Sequence, residues 1–166
     1  KVHLIGIGGI GMSGIAELLK NKEFLVSGSD IADSPIVQRL INLGINVSIG
    51  HNKENVSDAE LVIYSDAIPE DNIELIEAFS KNILVYSRAK MISEIAKLNN
   101  STVAIAGTHG KTTTTSMVGT ILKSMNLDPT IIVGGVIKSL ESNSILGAGD
   151  TFCLLYTSPS PRDTMS

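Results

Sequence analysis

The sequence lacks the features that would place the chain in a membrane, in an oxidising compartment or on nucleic acid. It has one cysteine, Cys153, so it cannot form an internal disulfide, which fits a reducing compartment such as the cytoplasm. No apolar run approaches the roughly 18 residues that a membrane-spanning helix requires. The formal net charge of −4 argues against nucleic acid or an anionic membrane as a partner, because both attract basic surfaces. The histidines and the cysteine are scattered, without the spacing of a metal site.

What the chain does contain is an alternation of strand-like and helix-like segments over 166 residues, which predicts an α/β fold. The predicted strands are 2–6, 24–28, 46–49, 61–64, 83–86, 102–106 and 130–133. Apolar residues at helical spacing predict the helices between them. The predicted core-facing stripes are Met12/Ile15/Ala16/Leu19, Ile36/Val37/Leu40/Ile41, Ile73/Ile76/Phe79, Met91/Ile92/Ile95/Leu98 and Met117/Val118/Ile121/Leu122/Met125.

Local signals mark the ends of some elements and one boundary between domains. Ser34 followed by Pro35 predicts a helix N-cap and first helical position, and Gly44 a C-cap. The polar break at 98–101 separates two α/β patterns, so we expect one domain over 1–98 and a second beginning at 99.

The first glycine-rich loop, Gly6 to Gly11, has the form G-x-G-x-x-G between a predicted strand and a predicted helix. Such a loop lets backbone approach a pyrophosphate, which the helix N-terminus then stabilises. Asp30 ends the next strand, where an acid can accept a hydrogen bond from a ribose hydroxyl, and His51 lies at another strand end nearby. From the residues alone, NAD is the first candidate ligand. The alternative is that the loop binds no ligand and that its glycines only allow the strand and the helix to pack closely.

The second loop, Gly107 to Thr113, reads G-x-x-G-K-T-T and also lies between a predicted strand and a predicted helix. It departs from the strict phosphate-loop pattern, which requires glycine where this chain has Ile105. Its backbone amides would surround phosphates, Lys111 would reach the β- and γ-phosphates, and the Thr112 hydroxyl would bind Mg²⁺. A chance G-K-T in a turn is the alternative.

Several segments, in order, resemble the Mur ligases, the amino-acid-adding enzymes of peptidoglycan synthesis, and among them the branch that joins L-alanine to UDP-N-acetylmuramate. The matching segments are 6–14, 28–30, 65–72 (SDAIPEDN), 87–89 and 106–115 (AGTHGKTTTT). The resemblance covers about residues 1–152. It implies a Rossmann-like UDP-sugar-binding domain over 1–98 and a P-loop ATP-binding domain from 99, and it replaces NAD by the pyrophosphate of UDP-N-acetylmuramate.

The resemblance also implies an ATP-dependent reaction that passes through an acyl phosphate, with Mg²⁺ as cofactor and UDP-N-acetylmuramate and L-alanine as substrates. It assigns Lys111 and Thr112 to catalysis and Thr112 to the metal. The ATP loop that it implies consists of Gly107, Thr108, His109, Gly110, Lys111, Thr112 and Thr113. The UDP-sugar contacts that it implies are Gly8, Gly9, Gly11, Met12 and Ser13, with Asp30 and His51 as further candidates.

The sequence departs from the family after Phe152. The family continues there into an acidic motif that completes the Mg²⁺ site, whereas this chain continues into a Ser/Pro-rich tail that resembles translated adapter sequence. We therefore expect a truncated ATP-binding domain over 99–152, a foreign tail over 153–166 that cannot pair centrally in a sheet, and no ligase activity in the chain as written. A non-catalytic UDP-sugar or nucleotide-binding module and an NAD-dependent oxidoreductase are the alternative functions.

Overall fold

The computed structural model describes residues 1–98, 101–106, 111–133, 144–145, 147 and 151–156. The chain divides after Glu94 into two compact units. No helix in the described part is long and apolar enough to cross a membrane.

The first unit is a five-stranded parallel sheet with order β3-β2-β1-β4-β5, which confirms the predicted α/β fold with a parallel sheet. Its strands are β1 Val2–Ile5, β2 Val26–Asp30, β3 Asn46–Ile49, β4 Leu61–Tyr64 and β5 Leu84–Ser87. The helices that alternate with them are α1 Ile10–Asn21, α2 Pro35–Asn42, α3 Ile73–Ser80 and α4 Arg88–Lys97, and a 3₁₀ turn spans Lys53–Val56.

The central strand β1 determines which end of the sheet carries the ligand-binding loops. Val2 pairs with Val26 on one side and with Leu61 on the other, so three carboxyl ends meet at one edge. Leu4 and Ile5 are fully buried, which anchors β1 in the core. The glycine loop follows Ile5 directly, so it lies at the edge where ligands bind in open parallel sheets.

The predicted helix ends at α2 are confirmed. Oγ of Ser34 accepts a hydrogen bond of 3.3 Å from the Val37 amide, and Pro35 is the first helical residue. Gly44 has a φ of +78°, and the Ile45 amide after it bonds to the Leu40 carbonyl, as in a Schellman C-cap.

The predicted strand 24–28 is wrong by two residues. Phe24 and Leu25 are exposed, and β2 begins at Val26 because Glu23 takes a left-handed conformation with a φ of +65° after α1. Gly28 lies inside β2, where Ile7 packs so closely that a Cβ would lie 2.5 Å from its Cδ1 atom. Only glycine fits at this position of β2, because Ile7 and the Leu4 carbonyl leave no room for a Cβ.

The predicted core stripe of α3 is wrong. Ile73, Ile76 and Phe79 are exposed, and the helix instead buries Glu74, Leu75 and Ala78. In α4, Met91 and Ile95 of the predicted stripe are buried, but Leu98 is exposed.

The second unit has a four-stranded sheet with order β6-β9-β7-β8. Its strands are β6 Ser101–Ala106, β7 Thr130–Val133, β8 Ser144–Ile145 and β9 Thr151–Tyr156, and α5 spans Lys111–Ser124. β9 is parallel to both β6 and β7, whereas β8 is antiparallel to β7. On α5, Met117, Ile121 and Met125 of the predicted core stripe are exposed.

β9 corrects the expectation that the chain from Cys153 onward cannot pair centrally. Phe152 and Cys153 are fully buried between the two neighbouring strands. β9 spans Thr151–Tyr156, and Pro159 and Pro161 come later in the sequence than this strand. Residues 157–166 of the predicted foreign tail lie outside the described residues.

Candidate functional site

The glycine loop between β1 and α1 is held by hydrogen bonds from its backbone amides. The Gly6 amide donates to the Ser29 carbonyl at 2.8 Å, and the Gly9 amide donates to the Gly6 carbonyl at 3.0 Å. The Gly8 amide donates to Oδ2 of Asp30 at 2.8 Å. These contacts connect the loop to the end of β2, so Asp30 supports the loop.

Glycine is required at two positions of this loop for different reasons. Gly6 has a φ of +76°, in the left-handed region that side chains disfavour. A Cβ at Gly8 would lie 2.8 Å from Cγ2 of Val37 and 2.9 Å from Oδ2 of Asp30, so no side chain fits there.

Helix α1 presents its N-terminus beside this loop. Gly9 is the N-cap, no side chain caps the helix, and its first turn has no acidic residue. A helix N-terminus of this kind favours an anion such as a phosphate. Met12 and Ser13, predicted ligand contacts, have buried side chains, and their amides bond to the Gly9 carbonyl.

A cavity of about 420 Å³ opens next to the glycine loop in the first unit. Its size is within the range of small-molecule sites. Apolar side chains supply much of its wall, and a few polar groups converge on it, as is typical of small-molecule sites. The lining residues are Gly6, Gly9, Asp30, Ile31, His51, Ser65, Ala67, Ile68, Pro69 and Asn72. The predicted contacts Gly9, Asp30 and His51 are therefore brought together at one site.

Arg88, at the start of α4, places a positive charge against the first turn of α1. A methyl group at Gly11 would collide with Nη1 of Arg88, so the guanidinium lies directly on that turn. Its Nη2 donates a hydrogen bond of 2.9 Å to Oδ2 of Asp66. Arg88 lies in the matching segment 87–89, but no sequence pattern assigned it a role at the site.

His51 belongs to a buried polar network centred on Glu74. Oε2 of Glu74 accepts from the Ser29 hydroxyl at 2.5 Å and lies 3.0 Å from Nδ1 of His51. Oε1 accepts from the Asn52 amide at 3.2 Å and from Nδ2 of Asn55 at 2.5 Å. Ser29 and Glu74 are fully buried, whereas 16% of the His51 side chain is exposed.

The network keeps Glu74 ionised. Burial alone would raise its pKa, but His3, Ser29, Asn55 and the Asn52 amide together lower the pKa to about 2. Nε2 of His3 lies 3.8 Å from Oε2 of Glu74. Nδ1 of the same histidine lies 3.0 Å from Oγ of Ser27, which is on the same face of β2 as Ser29. His3 is itself buried in β1, with an exposure of 1%.

Glu74 is a site residue that was not predicted from the sequence. It lies in a helix whose neighbouring isoleucines pointed to a different buried face, and no motif marks it. The one available signal was Asn72, which caps α3 by accepting from the amides of Glu74 and Leu75 at 2.9 and 3.2 Å. That cap determines the starting phase of the helix and directs Glu74 inward.

The second predicted site is described only at its borders. β6 ends at Ala106 and α5 begins at Lys111, and the first turn of α5 has no acidic residue. Gly107, Thr108, His109 and Gly110 lie outside the described residues. Lys111 and Thr112 open α5, and Thr113 is exposed in its first turn. No cluster of potential metal ligands occurs among the residues that the structure describes.

Comparison with known proteins identifies relatives for most of the chain. The model of the Mur ligase family, catalytic domain, matches residues 1–100. A UDP-N-acetylmuramate–L-alanine ligase from Rhizobium meliloti is 56% identical over 149 residues, covering 90% of this chain and 31% of the relative. The corresponding ligase of Sulfurihydrogenibium sp. is 49% identical over 150 residues, covering 90% of this chain and 33% of the relative. The chain thus spans about a third of the length of these curated relatives.

Solved structures give the same picture. The UDP-N-acetylmuramate–alanine ligase of Thermotoga maritima superposes with a TM-score of 0.81 at 35% identity, covering 93% of this chain and 37% of that one. The UDP-N-acetylmuramate:L-alanyl-γ-D-glutamyl-meso-diaminopimelate ligase of Neisseria meningitides superposes with a TM-score of 0.79 at 26% identity. The match covers 93% of this chain and 51% of that one.

Proposed function

The chain belongs to the Mur ligase family, and we propose that its first unit binds UDP-N-acetylmuramate for an ATP-dependent ligase that joins L-alanine to this nucleotide sugar. The observation that carries the proposal is the cavity beside the glycine loop, which combines an anion-binding helix N-terminus with an apolar slot. The names of the relatives support the choice of substrates. The single cysteine and the proposed substrates support a cytoplasmic location for the reaction.

The pyrophosphate and the uridine of the proposed ligand each have a counterpart in the first unit. The pyrophosphate would lie at the N-terminus of α1, next to the glycine backbone and the guanidinium of Arg88. The uridine would occupy the slot between Ile31 and Ile68, within reach of His51. Asp30 holds the loop through the Gly8 amide and keeps acceptor capacity for a ribose hydroxyl.

The second unit would supply the ATP site. β6 ends at Ala106 and α5 begins at Lys111, and the absence of an acidic residue from the first turn of α5 suits a bound polyphosphate. Residues 107–113 would surround the phosphates, with Lys111 at the γ-phosphate and the Thr112 hydroxyl holding Mg²⁺. When bound, Mg²⁺ would neutralise charge on the phosphate oxygens.

In the proposed reaction of the whole enzyme, the muramoyl carboxylate displaces ADP from the γ-phosphorus and becomes an acyl phosphate. The alanine amine then attacks the acyl carbon, and inorganic phosphate and a proton leave as the amide forms. Negative charge develops on the transferred phosphoryl group, and the ammonium group of Lys111 would stabilise it.

Nuclear magnetic resonance of the full chain tests the first part of this proposal. Titration with UDP should move the amide signals of residues 6–11 and the signals of His51 and Arg88, and leave those of β7 and β9 in place. Shifts confined to the second unit would contradict the assignment of the UDP site to the first.

A further inference from the structure

We propose that Glu74 is a positioning residue that holds His51 in the Nδ1–H form, so that Nε2 of His51 accepts a hydrogen bond from a donor on the bound uridine nucleotide. The inference rests on the proposed binding of a UDP-sugar. It adds that, in one contact, the protein accepts the hydrogen bond and the ligand donates it. Glu74 itself does not line the cavity. It acts through His51, with which it shares the buried network.

The hydrogen-bond partners of Nδ1 determine where the ring proton lies. The Ser29 hydroxyl has one proton and donates it to Oε2 of Glu74 at 2.5 Å. Its oxygen, 3.1 Å from Nδ1 of His51, is therefore left as an acceptor. Oε2, 3.0 Å from the same nitrogen, belongs to an ionised carboxylate and also only accepts. Because both neighbours of Nδ1 are acceptors, Nδ1 carries the proton.

The other carboxylate oxygen holds the segment that carries His51. Oε1 accepts from the amide of Asn52, the residue after His51, and from the side chain of Asn55 in the 3₁₀ turn. Glu74 thus fixes both the backbone beside His51 and the orientation of its ring. A single carboxylate satisfies donors from three segments, which explains how its burial is tolerated.

The geometry leaves Nε2 for the ligand. His51 lines the cavity, and its Nδ1 edge faces the buried network, so the opposite edge of the ring is the one available to a bound molecule. A neutral imidazole protonated at Nδ1 presents a lone pair at Nε2. The matching group on a uridine nucleotide is a donor, either the imide N3–H of the base or a ribose hydroxyl.

The ring proton can be observed directly in the unmodified chain. Nitrogen-15 spectra distinguish the two neutral tautomers, and only three histidines are present. The signals lost in His51→Gln identify His51. We expect a protonated Nδ1 and an unprotonated Nε2 at neutral pH. A proton on Nε2, in a neutral or a doubly protonated ring, would overturn the proposal without any need for a Glu74 variant to fold.

Binding measurements then test what the ring recognises. Calorimetry compares UDP with its N3-methyl, 2′-deoxy and 3′-deoxy analogues, and loss of the bonded donor should weaken binding roughly threefold to tenfold. The difference in affinity between UDP and the analogue that lacks the bonded donor should be smaller in Glu74→Gln. The glutamine amide can donate to Nδ1 of His51, so Nδ1 is no longer held in the protonated form. Glu77→Gln, which removes a carboxylate from the same helix away from His51, should bind like the wild type.

The outcomes separate this inference from the function on which it rests. If a folded wild-type chain binds no UDP, the proposed function fails, whatever the tautomer. If it binds UDP and all three analogues equally, only the contact through Nε2 is refuted. If Glu77→Gln reproduces the effect of Glu74→Gln, the specific role of Glu74 is refuted.

Discussion

The backbone amide of Gly8 donates a hydrogen bond to Oδ2 of Asp30 over 2.8 Å. The other carboxylate oxygen of Asp30 accepts from the Ala32 amide at 3.1 Å. The acid at the end of β2 therefore stabilises the glycine loop and the turn that follows its own strand. This arrangement makes the position of the loop sensitive to any side chain placed between Gly8 and Asp30.

Gly8→Ala should weaken UDP binding by more than tenfold and lower the stability of the first unit by about 1–3 kcal/mol, as for other overpacked sites. The added methyl group would lie 2.8 Å from Val37 and 2.9 Å from Asp30, so the loop must move. Calorimetry and chemical denaturation would measure the two effects. Gly44→Ala is the control, because its φ of +78° brings strain but its nearest neighbour is Nζ of Lys20 at 3.9 Å. The account is contradicted if both variants bind UDP equally well.

Arg88→Gln should weaken binding of UDP about tenfold to a hundredfold, the value of a charge-assisted hydrogen bond to phosphate. Binding of uridine, which has no phosphate, should not change. Lys90→Gln provides the matched loss of one positive charge, since Lys90 lies on the same helix and pairs with Glu94 at 2.8 Å. An equal loss for UDP and uridine would show that Arg88 supports the fold instead of binding phosphate.

The stability of the first unit should fall as the pH drops from about 4.5 to about 2, because these are the unfolded and folded pKa values of Glu74. A carboxyl whose folded pKa is lowered contributes its stabilisation above the unfolded value and loses it on protonation. The shift corresponds to about 3 kcal/mol. Amide exchange in β1 and β4 reports on this unit alone. Glu74→Gln should be less stable at neutral pH and should show a flatter acid profile.

Glu77→Gln is the control for that profile. Asp58 and Glu60 also have lowered pKa values, through Lys1 and the N-terminal amine respectively, but they are unchanged in both variants. Their contribution therefore cancels in the comparison. An acid profile of Glu74→Gln as steep as that of the wild type would show that another group causes the acid sensitivity.

Lys111→Ala should abolish ATP binding to the second unit and leave the affinity of the first unit for UDP unchanged, since the two loops serve different ligands. The change removes the charge expected to contact the β- and γ-phosphates. Lys123→Ala, at the opposite end of α5, is the matched control. In a full-length relative, the same substitution should also stop phosphate release. Near-normal turnover there would refute the assigned role.

The elements that local patterns predicted well are those whose signals lie within a few residues. The N-cap at Ser34 and the C-cap at Gly44 involve partners no more than five residues apart. β3, β4 and β7 were predicted with the bounds that the structure shows, because each is a short β-rich run between polar turns. The placement of the glycine loop at the carboxyl edge followed from the same alternation.

The errors arose where distant segments decide the structure. Glu74 is buried because Ser29, His51 and Asn55 supply its hydrogen bonds, and no local pattern contains those partners. Arg88 reaches the first turn of α1 from a helix that begins 77 residues after Gly11 in the chain. In β9, the apolar run Thr151–Tyr156 was itself a strand signal, but the prolines that follow and the departure from the family pattern argued against it.

Calorimetric titration of the full chain with UDP-N-acetylmuramate, and separately with NAD, tests most directly the claim that the first unit is a UDP-sugar site. The account predicts that UDP-N-acetylmuramate binds at one site, that UDP competes for it, and that NAD gives no binding heat. Tight binding of NAD with no response to UDP-N-acetylmuramate would contradict it.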